Sequence, residues 1–168
     1  MPIEPNAYRC DWAAWLRTAL PLLEREAYRE ALENFPRPVA RPTPLQRPSG
    51  ERRIALISTA GAFDPHTQAP FAAASAIGDI TFRLLSTDLP DERIAFSHGH
   101  YDSGPAEADR EVVLPRTSLQ AAGGALTPHV ISTMGYCLDW PSFIEQTIPQ
   151  IVAQVRADGA NCALLVPV

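Results

Sequence analysis

The sequence predicts an α/β fold: a three-layer domain with a mostly parallel sheet and flanking helices, preceded by an N-terminal helical arm and a Pro-rich strap. Three observations predict it. Short aliphatic and β-branched runs alternate with helical segments over residues 51–168. Two of the runs, A-L-I-S-T-A-G and V-I-S-T-M-G, enter a glycine turn without polar interruption, as strands buried on both faces do. A long amphipathic segment, 139–160, then leads into a last apolar run, C-A-L-L-V-P-V.

The elements come in a definite order. Residues 1–35 form the arm, with Trp12, Trp15, Leu16, Ala19, Leu20, Leu23, Ala27, Tyr28, Ala31 and Leu32 at helical spacing and a kink expected at Pro21. Residues 36–50 are the linker. Five of the thirteen residues 36–48 are proline, which forbids a helix or central strand and leaves an extended, polyproline-like strap. The α/β domain is 51–168. Strands are expected over 52–61, 80–86 (an edge or mixed strand, because it alternates), 93–98, 129–135 and 162–168. A short helix is expected over 115–124, with Pro at its start and Gly at its stop. The longer helix, 139–160, takes Asp139 as its cap and Phe143, Ile144, Ile148, Ile151, Val152 and Val155 as its buried face. No internal repeat is expected.

Composition excludes several functions. The net charge of −5 offers no basic face for nucleic acid. All 14 basic residues are arginine, so neither a lysine Schiff base nor a Lys-type phosphate loop is available. Cys10, Cys137 and Cys162 are odd in number and widely spaced, a poor framework for disulfides or zinc. The N-terminus has no signal-peptide pattern and no run is long enough to span a membrane, so a cytoplasmic protein is expected. No dinucleotide-binding or Walker motif is present, and no cofactor is expected within this chain.

The stretch F-S-H-G-H-Y-D holds the chemistry. It places His98, His100, Tyr101 and Asp102 within five residues, after an expected strand. In parallel sheets, ligands gather at the carboxyl ends of the strands. The turns after 52–61, 93–98 and 129–135 are therefore expected to open on one rim. Three readings stand. The four side chains form an acid/base site; or they merely satisfy a strand end and its loop; or His98, His100 and Asp102 bind a divalent metal. The metal reading rests on H-x-H-x-D, which resembles the opening signature of metallo-β-lactamase-fold hydrolases, although Ser103 stands where that signature has a further histidine.

Taken in order, A-L-I-S-T-A-G, S-H-G-H-Y-D-S-G-P-A-E-A-D-R-E-V-V-L-P, S-T-M-G-Y and A-D-G-A-N-C-A-L-L-V-P-V resemble the selenoprotein B family of the glycine, sarcosine, betaine and D-proline reductases, nearest to the D-proline reductase branch. The resemblance covers the α/β part. It implies an oxidoreductase subunit for reductive cleavage of a C–N bond in an amino acid or amine, with a dithiol or thioredoxin-like reductant. In such proteins the strand similar to L-L-V-P-V leads into a selenocysteine or cysteine. That residue is expected just beyond Val168, and this chain is expected to be truncated before it and inactive alone. The resemblance further implies a partner reductase subunit, with a pyruvoyl group there; the Trp-rich arm adds the expectation of an oligomeric assembly. His98 and His100 would donate protons or stabilise the nucleophile, Asp102 would orient an imidazole, and Tyr101 would donate to substrate or pack. Two alternatives are kept: a non-catalytic binding subunit of such a complex, and the metal-dependent hydrolase.

Overall fold

The computed structural model describes residues 47–168 continuously, together with positions 17–19, 21, 22, 25 and 30. The chain divides between Pro44 and Leu45, and the second unit, Leu45–Val168, carries the sheet. Most of the expected arm and most of the strap lie outside the described residues.

Strand β1 (Arg53–Ser58) is the centre of the sheet. Strand β7 (Cys162–Val166) runs parallel to it on one side, from Ile54 opposite Cys162 to Ser58 opposite Val166. On the other side lie two consecutive parallel pieces. Strand β5 (Ala125–Leu126) pairs with the start of β1, and β6 (His129–Thr133) with its end. Strand β3 (Phe82–Ser86) closes the far edge, antiparallel to β6. The sheet is thus mixed but mostly parallel, and the alternating run is an edge strand, as predicted, running antiparallel to its neighbour.

One face of the sheet presents Leu56, Leu85 and Val130. These pack with Ala106 of helix α1 (Gly104–Ala108), with Val113 and Leu114, and with Leu119 of helix α2 (Arg116–Ala121). Each such large side chain, fully buried, contributes about 1.5–3 kcal/mol. Arg116 stitches α2 to the loop after β3. Its buried guanidinium donates to the carbonyls of Thr87 (2.9 Å) and Leu89 (2.7 Å) and to the Asp91 carboxylate.

The helix between β6 and β7, α3, begins at Trp140–Ser142, widens into a π segment over Phe143–Thr147 and continues as α-helix through Ile148–Ala157. Asp139 caps it, accepting from the backbone of Ser142 at 3.3 Å. The widening has a cause in the sequence. Pro149 brings no N–H and its ring would clash with the carbonyl one turn back, which a π turn relieves. Among its described side chains Thr147 and Ile151 are buried, whereas Val152, expected inside, is 39% exposed.

Two further expectations are corrected. The expected strand 93–98 does not join the main sheet. Only Ala95–Phe96 (β4) is extended, paired antiparallel with Ala62–Phe63 (β2) in a separate ribbon. Strand β3 already occupies the free edge of β6. The chain also holds a short repeat: I-S-T-A-G (57–61) and I-S-T-M-G (131–135) end adjacent parallel strands, with Ile57 opposite Ile131 and Ser58 opposite Ser132. Both glycines have positive φ (67° and 82°). Both serines are fully buried and cap the turn, Ser58 accepting from Ala60 N at 3.3 Å and Ser132 from Ala62 N at 2.8 Å.

Candidate functional site

The turn that follows β1 gathers the site, one residue at a time. Thr59 holds the end of β7: its N–H donates to the Val166 carbonyl (3.1 Å) and its Oγ1 accepts from Val168 N (2.8 Å). The Ala60 carbonyl accepts from the Tyr101 hydroxyl at 2.9 Å. The Gly61 carbonyl accepts from Ser97 N (2.9 Å), while Gly61 N donates to Thr133 O (2.8 Å) at the end of β6. Only glycine fits here. At φ 67° a Cβ would sit 2.5 Å from the Ser97 carbonyl oxygen and 3.3 Å from Cβ of His98. Three successive residues therefore bring the end of β7, the histidine loop and the end of β6 to one rim. The loop reaches this rim from the β2–β4 ribbon rather than from a strand of the sheet.

Within the loop, three rings form a chain. His98 lies edge-on to Tyr101, with centroids 4.7 Å apart, and edge-on to His100 at 5.9 Å. His98 Nδ1 accepts the backbone N–H of His100 at 3.0 Å. His100 stacks on Tyr136, with centroids at 3.8 Å and planes tilted by 30°. Burial pushes His98 below the usual imidazole range, and the neighbouring His100 adds to this. Burial raises the Tyr101 phenol, and Glu107 raises it further. Tyr101 is therefore a firmly protonated donor, already committed to Ala60.

Asp102 is turned elsewhere. Its Oδ1 accepts from Gly104 N at 3.0 Å, at the start of α1. The imidazole of His98 is oriented by a backbone amide, not by this carboxylate. Among the described residues, no group of three or more His, Cys, Asp or Glu is placed to hold a metal ion. The donor chemistry agrees. A metal-binding imidazole normally donates its second ring N–H outward, whereas His98 Nδ1 accepts one. The remaining downstream histidine, His129, begins β6 at the opposite end of the strand, where its Nδ1 meets the Asp158 carboxylate at 3.1 Å.

Tyr136, Thr59 and the loop 71–79 complete the wall, and sequence reasoning missed all three. Tyr136 follows Gly135, whose left-handed turn packs against Thr59. The Tyr136 hydroxyl donates to Ala76 O at 2.9 Å, and its ring packs beside the cluster of Phe63, Phe71 and Met134. Ser97 Oγ donates to Phe71 O at 2.8 Å. Gly99 passes so close to this loop that a Cβ would lie 2.8 Å from the Ala73 carbonyl oxygen. Asp79 anchors the loop, accepting from Ala72 N (2.9 Å) and Thr81 N (2.7 Å). The repeated I-S-T-x-G was the signal that could have pointed to Thr59 and Tyr136.

Cys137 and Cys162 are the free cysteines among the described residues. Burial and Asp139 raise the Cys137 thiol. Cys162 is half-buried at the start of β7, at the end of the strand away from the histidines, with its Sγ 3.7 Å from the Arg53 carbonyl oxygen. No helix among the described residues is long and apolar enough to cross a membrane.

No family model and no solved structure matches the chain. Among curated proteins it is similar to the D-proline reductase subunit gamma of Acetoanaerobium sticklandii, at 29% identity over 128 residues. The match takes in 73% of this chain and 51% of that protein, so the chain spans about half the length of its relative. That similarity marks a distant relation to the D-proline reductase family.

Proposed function

We propose that this chain is a reductase-type subunit, similar to selenoprotein B, acting in the reductive cleavage of a C–N bond of an amino acid or amine. The observation that carries the reading is the shared rim. Thr59, Ala60 and Gly61 hold the end of β7, Tyr101 and the His98 loop on three consecutive residues. The distant relation to a reductase subunit supports the same class. A thiolate or selenolate brought to this rim would supply the nucleophile and electron carrier. Activation of the amine is assigned to a pyruvoyl group on a partner subunit. The reaction consumes two electrons: the C–N bond breaks, carbon and nitrogen each gain a hydrogen, and a dithiol or thioredoxin-like reductant becomes a disulfide.

The chain's own residues contribute the surroundings. In this reading the His98 and His100 pair supplies hydrogen bonding and proton exchange at the rim, Tyr101 packs against His98 and ties the loop to Ala60, and Asp102 shapes the start of α1. Leu164 and Leu165 of β7 are exposed, Leu165 at 70%, which supports life in an assembly with a partner subunit. The test is to tag the chain in its native host, recover the complex that forms, and assay dithiol-dependent C–N cleavage of proline, glycine and betaine by mass spectrometry. Dithiol-dependent product that falls by about a hundredfold in His98→Ala supports the reading. A complex with no dithiol-dependent cleavage, or one indifferent to loss of both histidines, contradicts it.

A further inference from the structure

The bond between His98 Nδ1 and the backbone N–H of His100, at 3.0 Å, fixes more than the angle of a ring. A backbone amide only donates, so the nitrogen that faces it must offer a lone pair. Nδ1 then carries no proton, and the neutral ring bears its single proton on Nε2. Becoming imidazolium would set two N–H groups against each other at that distance. The surroundings point the same way. Among the described residues, Tyr101 and His100 are the rings that meet His98, both from its own loop, and the Ala60–Gly61 turn beneath contributes backbone. Asp102, which would have stabilised a positive ring, is spent on Gly104 N. The depressed imidazole range of His98 agrees with this arrangement.

We propose that His98 is a neutral hydrogen-bond donor through Nε2, with its tautomer selected by the His100 amide, and that in the site it donates a hydrogen bond instead of shuttling a proton. The proton-exchanging role then falls to His100, the exposed imidazole stacked on Tyr136. This assignment of roles rests on the reductase reading above; the tautomer itself does not.

The two are tested separately. Long-range ¹H–¹⁵N correlation of the ¹⁵N-labelled chain at pH 7, assigned with His98→Gln, reads the protonation of each ring nitrogen without any activity. A bare Nδ1 and a protonated Nε2 are expected for His98. A protonated Nδ1, or an imidazolium pattern, overturns the proposal. In the recovered complex, Gln places an amide N–H where Nε2–H lay, whereas Asn does not. Dithiol-dependent turnover should therefore survive His98→Gln within about tenfold and fall by about a hundredfold in His98→Asn, the scale of one lost donor at a reacting centre. The reverse order, or full turnover in both variants, overturns the donor role. A wild-type complex that shows the expected tautomer but no dithiol-dependent cleavage overturns the reductase reading and leaves the tautomer standing.

Discussion

Thr59 grips the end of β7 twice, giving its N–H to the Val166 carbonyl at 3.1 Å and accepting Val168 N–H on its hydroxyl oxygen at 2.8 Å. The second bond can be removed alone. Thr59→Val keeps the shape and the backbone bond but loses the acceptor. It should cost about 0.5–1.5 kcal/mol, read from denaturant midpoints. Amide hydrogen exchange at Val168 should quicken, with exchange across β6 unchanged. Thr59→Ser should restore slow exchange. Equal exchange in all three proteins would show that the hydroxyl does not hold the strand end.

The glycine two residues on is a sharper test of packing. Gly61 and Gly123 both have positive φ, 67° and 80°. A Cβ on Gly123 meets nothing within 4 Å, whereas on Gly61 it strikes the Ser97 carbonyl oxygen at 2.5 Å. Gly123→Ala should therefore cost only the left-handed backbone penalty, about 1–2 kcal/mol. Gly61→Ala should cost more and should shift the resonances of residues 97–101. Comparable losses in the two variants would contradict the contact.

Asp64 gives the pH dependence a sign. Burial works against its charge, yet the His66 backbone N–H, the Thr67 hydroxyl and the Arg93 guanidinium together hold its carboxyl below the ordinary range. A carboxylate depressed in the folded state stabilises the fold above its unfolded pKa of about 3.9 and loses that contribution as pH falls through its lower folded value. In Asp64→Asn the acid limb of stability against pH should flatten, with the largest deficit from wild type above pH ~4. A deficit that grows on acidification would contradict the assignment.

The parts of the fold that depend on runs of side chains were legible. The aliphatic run 53–58 had to be buried, and the alternating run 82–86 had to face two environments. Phe96 and its neighbours misled because a two-residue ribbon and an edge strand read alike in sequence; only the occupancy of β6 by β3 decides between them. Helical periodicity places Val152 inside, but the π segment ahead of it rotates the face. At the site, the H-x-H-Y-D cluster declared itself. Its pairings did not, because they are made by backbone. The partner of His98 is the amide of His100, the partner of Tyr101 is the carbonyl of Ala60, and Tyr136 arrives through the left-handed turn at Gly135.

The end of β7 and the imidazoles must share one rim for a nucleophile brought there to meet them, and a distance measurement tests this most directly. A nitroxide is attached at Val168→Cys, with Cys10, Cys137 and Cys162 changed to serine, and paramagnetic broadening of backbone amides is recorded. Amides of 59–61, 97–101 and 135–136 should broaden strongly, and those of His129 and Asp158, at the other end of the strands, should not. Sharp resonances in the histidine loop beside broadened ones at His129 would contradict a shared rim.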